Sequence, residues 1–99
     1  MLRHIVLLRL NDSADEAARD RILKALRGLA EEIPQIRSLT ATADAGLADG
    51  NADIALEVEV DDVEAWRAYQ QHPAHKRVIT EHIAPVLVER AAIQLQLST

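Results

Sequence analysis

Residues 2–10 constrain the fold most. Leu2, His4, Val6, Leu8 and Leu10 alternate there with Arg3, Ile5, Leu7 and Arg9. Period two with branched aliphatics predicts a β-strand. Both of its faces carry apolar side chains, so on a central strand Ile5 and Leu7 would stay exposed unless a second layer covered them. Residues 53–60 repeat the pattern, with Ile54, Leu56, Val58 and Val60 opposite Ala55, Glu57 and Glu59. Residues 88–97 do so again, with Ala91, Ile93, Leu95 and Leu97 opposite Arg90, Ala92, Gln94 and Gln96. A weaker alternation runs through 36–44, with Leu39, Ala41 and Ala43 against Ser38, Thr40 and Thr42.

Two helical stretches separate these strands. Ser13-Ala14-Asp15-Glu16 has the form of a capping box, in which the Ser hydroxyl and Glu carboxylate satisfy free amides. Ala18, Ile22, Ala25, Leu26, Leu29 and Ile33 follow at helical spacing and predict a buried stripe. Pro34 ends that helix, because Ile33 before it is pushed out of the α region. Gly46 and Asp49-Gly50 turn the chain between the second and third strands. Asp61-Asp62-Val63-Glu64 opens the second helix with acidic groups near its positive end. Val63, Trp66 and Tyr69 share one face. Pro73 then breaks the helix and places His75 in the first turn of the next.

The order β-α-β-β-α-β predicts a ferredoxin-like α+β sandwich: a four-stranded antiparallel sheet with both helices on one face. We assign His4, Val6, Leu8, Ile54, Leu56, Val58, Ile93 and Leu95 to the helix-covered face. Arg3, Ile5, Leu7, Arg9, Glu57, Glu59, Arg90 and Gln94 go to the other. The charges on that second face suit an ion-pair lattice better than a reactive site.

Residues 1–99 make one small domain. The net charge of −5 argues against a nucleic-acid partner. No apolar run approaches the ~20 residues of a membrane span, and no secretory leader is visible. The absence of cysteine excludes disulfides and thiolate chemistry and is compatible with the cytoplasm. Gly46 and Gly50 lack the Gly-Lys-Ser/Thr context of a phosphate loop, so no cofactor is expected. His75 and His82 stand about 10.5 Å apart along a helix, too far to share a metal, and no metal site is expected.

The tract Tyr69-Gln70-Gln71-His72-Pro73-Ala74-His75 resembles the His-Pro-Ala-His segment of the stress-responsive A/B barrel (Dabb) family. Arg3-His4-Ile5-Val6-Leu7, Glu32-Ile33-Pro34-Gln35-Ile36 and Gly50-Asn51-Ala52-Asp53 resemble the same family. Together these segments span nearly the whole chain. The resemblance implies that two sheets pack face to face as a dimeric α/β barrel. It also implies a site, since ring-closing members use the Tyr and second His of this segment, here Tyr69 and His75. Those members carry polar groups on the first helix and third strand, where this chain has Leu26 and Ile54.

Tyr69 and His75 are the catalytic candidates on chemical grounds as well. Histidine moves protons near neutral pH, and a phenol donates to a carbonyl or enolate oxygen. Buried Tyr and His also serve simply to satisfy neighbouring groups while packing their rings. His4, on the first strand, either supports His75 across a cavity or is a neutral core histidine. His72 is expected to cap or brace the second half-helix. Leu26, Ile54 and Trp66, with His4, are the expected lining for a small apolar or aromatic ligand. Three functions fit: a cofactor-independent cyclase, isomerase or lyase acting on a carbonyl compound; a non-catalytic stress-response homo-oligomer; and a ligand-binding protein without turnover.

Overall fold

A computed structural model describes residues 1–98. Strand β1 (Leu2–Leu10) is central. It pairs antiparallel with β3 (Ile54–Val60) on one side and with β4 (Leu87–Gln96) on the other. Strand β2 (Ser38–Ala43) adds to the outer edge of β3, giving the order β2-β3-β1-β4. Helix α1 (Glu16–Glu32) joins β1 to β2. Helices α2 (Val63–Gln71) and α3 (Pro73–Val78), followed by a π-helical turn at Ile79–Ile83, join β3 to β4. The topology is ferredoxin-like, with its second helix broken in two. No helix among the described residues is long and apolar enough to cross a membrane.

The core is aliphatic because the chain has no Phe. Ile22, Leu23, Leu26 and Leu29 of α1, with Ile33 after it, bury against Val6, Leu8, Leu56 and Val58 of the sheet. Arg27 donates from Nε and Nη2 to the carbonyl oxygen of Ala41 and so ties α1 to edge strand β2. Asp53 locks β3 beside β1: its Oδ2 accepts from the Leu10 amide at 2.7 Å, and its own amide donates to the Leu8 carbonyl.

Two local expectations change. The α1 cap is Asp15, whose carboxylate accepts from the Ala18 amide at 2.8 Å, and not Ser13. Ser13 instead turns back onto Asn11, whose Oδ1 accepts from the Ser13 amide. The Asx turn competes with the capping box for the Ser side chain and wins. Asp15→Ala should therefore cost about 1 kcal/mol, while Ser13→Ala should stay within about 0.5 kcal/mol. Urea midpoints of the two variants check this, and the reverse ranking would restore the Ser13 cap.

The larger correction concerns β4. Its register pairs Gln94 with His4, Ala92 with Val6 and Arg90 with Leu8. Directly opposed residues share a face, so Arg90 and Gln94 point to the helix side, while Ile93 and Leu95 point away from it. This reverses the faces assigned from alternation. Apolar content misleads here because β4 is an edge strand whose helix-side residues Arg90, Ala92 and Gln94 stay exposed, so polar side chains are tolerated there. The open face accordingly carries an apolar stripe in which Ile5 pairs with Ile93 and Leu7 with Ala91. Leu7 is 43% and Ile93 53% exposed. Beside the stripe, Arg3 pairs with Glu59 at 2.8 Å, and the Arg3 hydrogen bonds hold the Glu59 carboxyl below its usual range.

Candidate functional site

The break at Pro73 creates the site. In a continuing helix the Ala74 amide would bond the Gln70 carbonyl. Here that amide donates instead to His72 Nδ1 at 3.0 Å, so His72 caps α3 as expected. The Gln70 carbonyl is left free, and His75 Nδ1 lies 3.1 Å from it. A carbonyl only accepts, so the His75 proton sits on Nδ1. The lone pair of neutral His75 is therefore on Nε2, which has no hydrogen-bond partner among the described residues.

A cavity of about 210 Å³ lies between the helices and the sheet. Its polar groups are His4, Tyr69, Gln70, His75 and Arg90. Leu26 and Leu29 of α1, Val6, Leu8 and Leu56 of the sheet and Ile79 and Ile83 of the π turn supply apolar walls. The wide π turn, closed by the Ala84 amide on the Ile79 carbonyl at 2.8 Å, sets both isoleucines there. Such turns recur at functional sites.

Tyr69 is fully buried between the two histidines. Its ring centroid lies 4.6 Å from that of His75 and 5.8 Å from that of His4. Its hydroxyl is buried and has no hydrogen-bond partner among the described residues. Burial pushes the phenol pKa up to about 12, against the opposing pull of the Arg90 charge, so it remains a proton donor.

His4 is 1% exposed. Gln94 Nε2 donates to its Nδ1 at 2.9 Å, and Trp66 Nε1 donates to the same atom at 3.4 Å. An indole N–H can only donate, so His4 Nδ1 is an acceptor and its proton is on Nε2. Gln70 stands 3.4 Å from that nitrogen. Accepting the proton requires the Gln70 amide to present its oxygen there. Burial, then the Arg90 charge, then His75 push the His4 pKa down to about 4. Burial also lowers His75; the Gln70 hydrogen bond opposes this, and Arg90 and His72 add to it. Both imidazoles are neutral near pH 7.

The expected residues thus divide. Tyr69, His75, His4 and Leu26 meet at one cavity. Trp66 touches it indirectly, through an edge-on contact with His4 at 6.1 Å between centroids. Ile54 is buried in the sheet and lines a separate hollow beside Thr42 and Asp44. Gln70, Gln94 and Arg90 were not singled out as site residues. For Arg90 and Gln94 the available signal was the alternation Arg90-Ala92-Gln94, which lies on the His4 side of the sheet once β4 is registered against β1; Arg90 lines the cavity and Gln94 bonds His4. Among the described residues, no three or more His, Asp or Glu side chains gather as metal ligands.

The fold is that of a ferredoxin-like α+β domain with an open antiparallel sheet. A sequence profile of the stress responsive A/B barrel domain matches residues 2–96, and the chain belongs to that family. It is 33% identical over 78 residues to an uncharacterized protein of Streptomyces coelicolor, covering 77% of this chain and 80% of that one. A dimeric ferredoxin-like protein of unknown function from Thermobifida fusca is 38% identical, with a TM-score of 0.88, over 97% of this chain and 90% of that one. The hydroxynitrile lyase of Passiflora edulis shares the fold at 17% identity and a TM-score of 0.84, over 98% of this chain and 93% of that one.

Proposed function

We infer that the chain is a homodimeric Dabb protein whose cavity binds a small, mainly apolar carbonyl compound and supports acid/base chemistry on it. The Tyr69 hydroxyl carries this reading: it is a buried donor without a partner, packed against the imidazole whose Nε2 is free. A buried hydroxyl left unbonded costs free energy, and a ligand oxygen would satisfy it. His75 Nε2 would take a proton from the carbon or hydroxyl beside that oxygen, and Tyr69 would stabilise the resulting enolate or alkoxide. His4 is held by Gln94 and Trp66 and positions Tyr69. The Passiflora edulis enzyme illustrates that this fold accommodates lyase chemistry. An open cavity favours the enzyme and the ligand-binding protein over a purely structural stress-response protein. A cytoplasmic protein fits the cysteine-free composition.

Trp66 is the only tryptophan and touches His4, so its emission reports on the cavity. Small phenols and β-dicarbonyls such as acetylacetone should change that emission saturably. His75→Ala should weaken the binding by a few-fold, and turnover, where present, should fall with it. Saturable binding without turnover makes the protein a binding module. No response across the panel sinks the site.

The dimeric state of the Thermobifida fusca protein supports a homodimer here, and the exposed Leu7 and Ile93 favour a seam on the stripe they form with Ile5. Sedimentation at micromolar concentration should give twice the chain mass, and Ile93→Glu should give the monomer. A monomeric wild type would refute the seam.

A further inference from the structure

Arg90 is the one charged side chain that lines the cavity. Among the described residues it forms neither ion pair nor hydrogen bond, although the chain as a whole carries a net charge of −5. Several other arginines are engaged: Arg3 on Glu59, Arg37 on Asp61, Arg27 on the Ala41 carbonyl and Arg9 on the Gly50 carbonyl. Among the described residues no Asp or Glu lines the cavity, and His4 and His75 are neutral near pH 7. Arg90 is solvent-exposed, so the cavity presents one uncompensated positive charge where it meets solvent.

We propose that the cavity selects a small carboxylate, whose charged end pairs with Arg90 while an oxygen elsewhere on the molecule meets the Tyr69 hydroxyl. A guanidinium fork matches a carboxylate with two parallel hydrogen bonds. Size sets the rest of the ligand. A cavity of about 150 Å³ holds benzene, so about 210 Å³ takes a single substituted ring or a short chain. The proposal rests on the ligand-binding reading above and names its substrate class.

The test uses two isosteric pairs that differ in charge and carry a second oxygen: 4-hydroxyphenylacetate with 4-hydroxyphenylacetamide, and 5-oxohexanoate with 5-oxohexanamide. Binding is followed by titration calorimetry at pH 7.5. Each acid should bind about three- to fivefold tighter than its amide, the scale of an ion pair to an exposed guanidinium. Arg90→Gln should abolish that preference, and Arg90→Lys should retain part of it. Tyr69→Phe should weaken acid and amide alike. Equal affinity for acid and amide, with both weakened by Tyr69→Phe, would overturn the charge selection and leave the cavity reading intact. Acid binding indifferent to both Arg90→Gln and Tyr69→Phe, or no binding by either pair, would overturn both.

Discussion

The protein should lose roughly 3 kcal/mol of stability as the pH falls from about 6.5 to about 4, through His4 alone. An unfolded histidine titrates near 6.5, whereas buried His4 titrates near 4. Within that window the unfolded chain binds the proton and the folded one does not, so acid favours unfolding. The gap between the two values, at about 1.4 kcal/mol per pH unit, sets the size of the loss. The stabilisation is fully present above 6.5 and is lost as the pH falls through the window. His75 acts in the same direction, because burial lowers it too. Urea midpoints at pH 7 and pH 4.5 measure the slope. His4→Gln should flatten it whatever it does to stability at neutral pH. An unchanged slope in that variant would mean that His4 takes up its proton over the same pH range in the folded and the unfolded chain.

The second large effect concerns Tyr69. Removing a bonded buried hydroxyl usually costs about 1 kcal/mol. The Tyr69 hydroxyl is unpartnered, so Tyr69→Phe should leave the unliganded protein at least as stable as the wild type. The same change should weaken ligand binding by about five- to tenfold, the worth of one hydrogen bond in the cavity. Stability kept and affinity lost is the signature of a group held ready for a ligand. A drop in unliganded stability of a full kcal/mol, with affinity unchanged, would make Tyr69 an ordinary core residue.

Much of the fold follows from pattern. The alternation of β1 and β3 places their strands within a residue, and Pro73 marks the helix break, because these signals are local. The reversal of β4 shows what alternation lacks. Period two divides a strand into two faces but does not say which one the helices cover. Choosing the apolar face of Ile93 and Leu95 fails because the open side of the sheet is apolar as well. Only the pairing of Gln94 with His4 settles the choice, and that pairing joins the two ends of the chain. Tyr69 and His75 were legible as candidates because one helix break carries both, and they line one cavity. The placement of Arg90 and Gln94 was not, since it depends on a register that no local pattern encodes. The Asp15 cap and the π turn are decided by competition between neighbouring hydrogen bonds, which residue type alone does not resolve.

The most direct test of the central claim is the state of the His75 ring, read from long-range proton–nitrogen correlation in solution at pH 7.5. The Gln70 carbonyl fixes the proton on Nδ1, so the free protein should show a protonated Nδ1 and a bare Nε2. Adding acetylacetone should then move the His75 Nε2 resonance saturably. The resonances of His72, which the Ala74 amide engages at Nδ1, should stay in place. A His75 proton found on Nε2, with no movement on titration, would contradict the account and leave His75 as a packing residue.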